Sequence, residues 1–283
     1  MAKNKVHELF AQADAEGFAI PAFNYSDVWD LLAIIEAAEE EQAPILLSCH
    51  PLIIDALSLE LCSAMGNAAM EKSKTPVIHH LDHGTDFAIC KAAIDSGFPS
   101  VMIDGSALPL AGNIACSAEV VAYAHPRDVF VEGEIGKIRG RGVEGGSDDD
   151  DFLVNVAEAE EFVKKSGVDS LAIGIGNAHG FYVGKPELNF KRLQEVNEAV
   201  QVPLVLHGGT GIPEADIQMA IKNGINKINV GTIIFSTYMN TMRRELERVG
   251  DNAFTLDATI PAKEEIKKVV KGWIRTCMAN GKA

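Results

Sequence analysis

The chain has 283 residues, 47% of them hydrophobic, enough to bury one large core, and no Pro/Gly/Ser-rich linker divides it. Forty acidic against 25 basic residues leave a formal charge of −15. That balance argues against nucleic acid or an anionic membrane as a partner, because phosphate contacts need clustered cations. Five scattered cysteines, odd in number and without CxxC spacing, read as reduced, mostly buried thiols of a cytoplasmic protein.

The N-terminus, MAKNKVHELFAQADAEG, carries an amphipathic helical pattern rather than the apolar core of a signal peptide, and no apolar run is long enough to span a membrane. Eight short apolar runs follow in order: FAIPAF (18–23), PILLS (44–48), PVIHHL (76–81), SVMID (100–104), VFVEGEI (129–135), SLAIGIG (170–176), PLVLHG (203–208) and KINVG (227–231). Between them lie stretches of helical spacing such as SDVWDLLAIIEAAEEE, TDFAICKAAIDSG and VAEAEEFVKKSG, several of which close on a glycine suited to a left-handed C-cap. Ser26 is the expected N-cap of the first, with Asp27 adding favourable charge to its first turn. Eight strand–helix units predict an α/β fold, a single (β/α)8 TIM barrel over 1–283. A doubly wound open sheet usually has fewer strands and a Gly-rich first turn, where this chain reads AFNYSD.

Barrel enzymes work at the C-terminal ends of their strands, and the polar residues collect there. Asn24 follows the first run, His50 the second, Asp82 and His83 end the third, and Asp104 ends the fourth. Glu132 and Glu134 lie at the end of the fifth, Asn177 and His179 past the sixth, His207 at the end of the seventh and Asn229 within the eighth. Adjacent strand residues point to opposite faces, so Asp82 and His83 cannot both face inward unless the strand twists out of the barrel. His83, His179 and His207 are each followed at once by glycine, and three imidazoles leave an open coordination position, as a catalytic zinc needs.

The loops after the seventh and eighth runs, Gly208-Gly209-Thr210-Gly211 and Asn229-Val230-Gly231-Thr232, offer backbone N–H donors and hydroxyls where barrels bind phosphate. Asn24 and Gly180 join these as substrate-contacting candidates. Metal beside phosphate suggests polarisation of a carbonyl or developing enolate. A Schiff-base lysine is the other solution, but Lys227, first in the eighth run, is expected to precede the eighth strand, at the wrong end, and Lys137 lies beyond the fifth.

HLDHG (80–84), SVMIDGS (100–106), VEGEIG (131–136), GNAHG (176–180), LVLHGGTG (204–211) and KINVGT (227–232) together resemble the class II, metal-dependent ketose-bisphosphate aldolases. The likeness runs from AFN near residue 22 to the C-terminal tail. It implies reversible aldol cleavage of a ketose 1,6-bisphosphate, of fructose or tagatose type, to dihydroxyacetone phosphate and an aldehyde phosphate. His83, His179 and His207 match the family's zinc ligands, and Asp82 its acid that serves the hydroxyl across the cleaved bond. Asp104 and Glu134 match carboxylates of an alternative metal position, and Asn229 a residue that contacts the ketose. The resemblance also implies one zinc per chain, with a monovalent cation as an additional candidate ion, and a homodimer or homotetramer.

Some positions depart from the family pattern. His50 stands where Ser or Thr is usual, Gly231 replaces a larger residue, and Val183 replaces a polar one, with Lys185 nearby. The glycine-bearing loop from about Gly136 to Asp151 is expected to be mobile, with Glu144 as its proton-transferring acid. A zinc hydrolase on the same fold is disfavoured by the lack of a His-x-His pair after the first run. A non-catalytic sugar-phosphate-binding descendant is disfavoured by the intact histidines and Asp82.

Overall fold

The computed structural model describes residues 3–136, 138, 152–182, 184 and 186–283. Each of the eight runs forms a parallel strand: β1 (Ile20–Asn24), β2 (Ile45–Cys49), β3 (Val77–Gly84), β4 (Ser100–Ile103), β5 (Phe130–Ile135), β6 (Ser170–Ile173), β7 (Leu204–Leu206) and β8 (Ile225–Val230). They pair in sequence order, and β8 returns to β1 with Ala22 opposite Asn229, which closes the barrel. Near-continuous apolar strands suit this arrangement because both faces are buried, one against the barrel interior and one against the helices. Glu144, Val183 and Lys185, with most of the loop expected to move, lie outside the described residues.

The helices are α1 (Lys3–Glu16), α2 (Val28–Glu41), α3 (Pro51–Leu57), α4 (Leu59–Lys72), α5 (Phe87–Asp95), α6 (Leu110–Ala124), α7 (Val156–Ser166), α8 (Phe190–Ala199), α9 (Glu214–Lys222), α10 (Thr232–Val249) and α11 (Thr255–Thr276). The first packs against the barrel with the Phe10 ring stacked on Phe130, centroids 4.9 Å apart. No single helix among the described residues is long and apolar enough to cross a membrane.

Two local expectations need correction, and one conditional expectation is met. Asp27, not Ser26, caps α2: its extended backbone (φ −153°) frees the carboxylate to accept from the Trp29 and Asp30 amides, while Asp30 accepts from the Asp27 amide at 3.0 Å. Ser26 instead donates its hydroxyl to Asp30 at 2.6 Å. The acid three residues on makes a capping box that a serine one step earlier cannot join.

Lys227 does not precede β8. The ladder begins two residues earlier at Ile225, so Lys227 is a strand residue, fully buried, with its ammonium 2.8 Å from Glu132.

Asp82 and His83 both reach the barrel mouth because strict alternation fails there. The β3–β4 register shifts between Leu81 and Gly84, and His83 adopts φ +54°. A non-glycine residue in the left-handed region is strained, and such strain concentrates where a site needs it.

Candidate active site

The C-terminal mouth of the barrel holds a cavity of about 710 Å³ lined by Asn24, His50, Asp82, His83, Asp104, Glu134, His179, Gly180, Gly208, Thr210, Asn229, Gly231 and Thr232, among others. Nearly every residue singled out in the sequence therefore converges here. Gly209, Val230 and His207 do not line it: the Gly209 amide donates to the Asn229 carbonyl, Val230 is buried in the core, and the fully buried His207 adjoins the wall through His83. Asn177 is structural, its amide group bridging the Ile175 N–H and the His207 carbonyl.

His83, His179 and His207 bring ring nitrogens to within 4.8 Å of one another, and His83, Asp104 and Glu134 form a second such group sharing His83. Outer carboxylates orient two of the imidazoles. Asp104 Oδ2 lies 2.8 Å from His83 Nδ1, and Glu132 Oε1 lies 3.0 Å from His207 Nε2. A carboxylate only accepts, so each places a proton on the nitrogen it faces. His83 Nε2 and His207 Nδ1, 3.0 Å apart, are left facing each other.

Two lone pairs at that separation call for a positive centre. In the metal-free protein a proton on His83 supplies it. Burial opposes that charge, but Asp82, the hydrogen-bonded Asp104 and Glu134 raise the His83 pKa to about 9. Burial holds His179 neutral, its pKa lowered to about 3, and lowers that of His207 as well. Three imidazoles, two of them backed by carboxylates, fit a divalent ion of zinc type. The buried Glu134 Oε2 has no hydrogen-bond partner among the described residues, and burial with the Asp104 charge pushes its carboxyl up to about 8. Both features mark a place that lacks positive charge.

Glu132 is the residue whose role the sequence reading missed. It sits fully buried beneath His207, and Lys227 and Ser170 contact it. Burial alone would raise its carboxyl, but the Lys227 ammonium overrides this and holds it well below the usual range. The only sequence signal was a charged residue inside each of two apolar runs. Ser106 was missed too, donating both its hydroxyl (2.6 Å) and its amide (3.1 Å) to Asp104.

Asp82 is gripped from both sides: Asn24 donates to Oδ2 at 2.7 Å and Asn229 to Oδ1 at 2.9 Å. Burial works against its charge, yet His83, His207 and Lys227 hold its pKa below the ordinary value. The departure at Gly231 has a steric reason here, since a Cβ at that position would lie 2.7 Å from Asn24 Oδ1.

Across the mouth, Gly208 takes φ +69°, and a Cβ there would come within 2.0 Å of the Ala178 carbonyl. Tyr182 fastens the same strip, accepting from the Ala178 amide and donating to the Gly208 carbonyl. This fixes the His179 loop against the glycine loop. The 18-residue helix α10 starts at Thr232 on the cavity wall, which places its positive end beside Gly231 and Thr210; the Thr210 hydroxyl accepts from the Ile233 amide at 3.3 Å.

Residues 4–282 match the family described as fructose-bisphosphate aldolase class-II. The chain is 39% identical over 288 residues to the 6-phospho-5-dehydro-2-deoxy-D-gluconate aldolase of Halalkalibacterium halodurans, covering 100% of this chain and 99% of that one. It is also 39% identical over 276 residues to the fructose-bisphosphate aldolase of Staphylococcus epidermidis, covering 95% and 94%. Among solved structures, the YdjI aldolase of Escherichia coli K12 superposes with a TM-score of 0.88 at 34% identity, covering 98% of both chains. Match, coverage and shared architecture agree: the chain belongs to the class II fructose-bisphosphate aldolase family.

Proposed function

We propose that the protein is a zinc-dependent aldolase that reversibly cleaves a phosphorylated ketose to dihydroxyacetone phosphate and an aldehyde. The observation that carries this reading is the convergence of three imidazoles, with the tautomers of His83 and His207 set by outer carboxylates, beside an Asp82 whose two oxygens are both held by amides. Zinc bound by His83, His179 and His207 would supply Lewis-acid polarisation of the ketone and an electron sink. No lysine is among the described residues that line the cavity, and the Lys227 ammonium is engaged by Glu132, which leaves a Schiff base without support.

The chain's own residues divide the remaining work. The Gly208 and Gly231 loops with the α10 N-terminus receive the phosphate on the ketone side. Asp82, kept ionised, takes the proton of the hydroxyl on the carbon β to the ketone as the carbon–carbon bond breaks, and returns it in synthesis. Asn24 and Asn229 hold its carboxylate at a fixed angle. Proton transfer on the ketone-side carbon is assigned to Glu144 on the family pattern alone.

Two substrate classes satisfy this chemistry. Fructose and tagatose 1,6-bisphosphates, expected from the sequence, leave an aldehyde that ends in phosphate. A 6-phospho-5-dehydro-2-deoxygluconate, named for the Halalkalibacterium relative, carries its ketone next to the phosphate-bearing carbon and an acid at the other end. Retro-aldol cleavage there gives the same triose phosphate and a three-carbon aldehyde ending in a carboxylate. The classes share the ketone half and differ only in the aldehyde half.

The test is triose phosphate release by the zinc-loaded protein from each of the three compounds, with zinc content measured alongside. Release from at least one, abolished by chelation and restored by zinc, is expected. Asp82→Ala should retain metal but lose cleavage by about a hundredfold or more, the scale of general acid–base catalysis, while hydrogen exchange on dihydroxyacetone phosphate survives better. Equal loss of both would reduce Asp82 to a structural role, and no release from any of the three would sink the assignment.

A further inference from the structure

His50 lines the cavity at the end of β2, beside the β3 pair Asp82 and His83, with its ring centroid 5.9 Å from that of His83. It also caps α3, where its Nδ1 accepts from the Leu52 amide at 3.2 Å. An imidazole nitrogen that accepts carries no proton, so this bond selects the neutral tautomer with the proton on Nε2. His50 therefore brings the cavity one uncharged N–H donor in a fixed orientation.

Its side of the mouth is the aldehyde side. The phosphate-bearing ketone half belongs to the glycine loops after β7 and β8. Asp82 must face the hydroxyl of the aldehyde carbon, so the aldehyde half begins at Asp82 and extends away from those loops, onto the wall made by β2 and β3. None of the described residues on the cavity wall is Lys or Arg, and the wall residues that follow β2 and β3 are His50, Leu52, Ile53 and Thr85. A phosphate dianion moved out of water onto such a wall would meet no countercharge among the described residues that line it. A carboxylate carries half that charge and fits a single oriented N–H.

We propose that His50 is the specificity-determining residue of the aldehyde side, donating from Nε2 to the substrate's distal oxygen and selecting an aldehyde that ends in a carboxylate over one that ends in a phosphate. This rests on the aldolase reading above and goes further by fixing which of the two substrate classes the site accepts.

The experiment runs the reaction in the synthetic direction with the zinc-loaded protein, dihydroxyacetone phosphate and either 3-oxopropanoate or glyceraldehyde 3-phosphate. Hydrogen exchange on dihydroxyacetone phosphate alone is followed in parallel. Wild type should show the higher kcat/KM with 3-oxopropanoate. His50→Ser and His50→Asn keep an oxygen able to cap α3 but withdraw the imidazole donor. Each should lower kcat/KM for 3-oxopropanoate by roughly tenfold to a hundredfold, the range for a hydrogen bond to a charged group. The preference ratio between the two aldehydes should fall with it, and His50→Gln, which can still reach with an N–H, should recover part of both.

A wild-type preference for glyceraldehyde 3-phosphate would overturn the proposal. So would an unchanged ratio in the Ser and Asn variants, which would leave His50 only its capping role. Wild-type protein that exchanges hydrogen on dihydroxyacetone phosphate yet accepts neither aldehyde would refute the His50 assignment while leaving the ketone half of the aldolase reading standing. Absence of exchange would instead bring down the aldolase reading itself.

Discussion

Two lysine–carboxylate pairs in this protein have the same separation, 2.8 Å, and opposite surroundings. Lys227–Glu132 lies inside the barrel with both side chains fully buried, while Lys271–Glu40 joins α11 to α2 with 28% and 45% of its side chains exposed. Length says nothing about what such a pair does. The buried pair holds a charge under a proposed metal ligand: Lys227 keeps Glu132 ionised, and ionised Glu132 fixes the His207 proton on Nε2 so that Nδ1 faces His83. The exposed pair fastens two helices that already pack together.

Removing one partner of the buried pair should have the largest effect on the protein. Lys227→Met leaves Glu132 charged and unpaired in the barrel floor, a loss on the order of 3–5 kcal/mol where no water can enter. It also frees Glu132 to take a proton, and then His207 loses its reason to present Nδ1. We expect a clear drop in the denaturation midpoint together with lower zinc content at unchanged secondary structure. Normal zinc binding in a fully stable Lys227→Met protein would show that His207 is oriented without this relay.

The same logic predicts a smaller effect at the wetter end of the site. Asp104 orients His83 as Glu132 orients His207, but its side chain is 25% exposed and Ser106 already satisfies its other oxygen. Loss of an outer carboxylate typically costs tenfold to a hundredfold in metal affinity, and Asp104→Asn should fall in that range without destabilising the barrel. The pH dependence sharpens the comparison. With its pKa raised from 6.5 to about 9, the His83 proton stabilises the metal-free protein fully below pH 6.5, and that contribution is lost as pH rises through about 9. Zinc needs the neutral ring, so its affinity should climb by about tenfold per pH unit over that window and level off above it. Asp104→Asn removes one of the charges that raises this pKa and should move the plateau to lower pH. A titration of zinc affinity against pH that is flat for both proteins would place the competing proton elsewhere.

How much of this was legible in the sequence follows the same divide between strand-end and interior residues. The barrel and most of the polar cavity wall could be read, because apolar runs report buried strands and a histidine or carboxylate at a strand's end has few structural uses. Lys227 and Glu132 were harder. Each sits inside an apolar run, and periodicity cannot say that β8 starts at Ile225 or that two distant charges meet across the barrel. The joint exposure of Asp82 and His83 was marked as a geometric problem, and its solution, a bulge with His83 at positive φ, lies in backbone torsions that residue types do not encode. The Ser26 expectation failed for a more local reason: both Ser26 and Asp27 are good caps, and Asp30 three residues beyond Asp27 decides between them.

The least effect is expected at the exposed pair, and it tests whether the comparison is about surroundings rather than about lysine. Lys271 shares its carboxylates with neighbours: Lys267 also contacts Glu40, and Arg275 also contacts Glu41. Removing one cation from this strip leaves each acid another partner and access to water, so no charge is stranded. Exposed pairs contribute little and are screened by salt. Lys271→Ala should therefore leave zinc content and aldolase activity at wild-type levels. It should shift the denaturation midpoint by a small amount at low ionic strength, and by less as salt is added. If Lys271→Ala proved as damaging as Lys227→Met, and remained so at high salt, burial would not be what separates the two pairs. The α2–α11 contact would then have to be a structural keystone of the barrel rather than a trimmed surface seam.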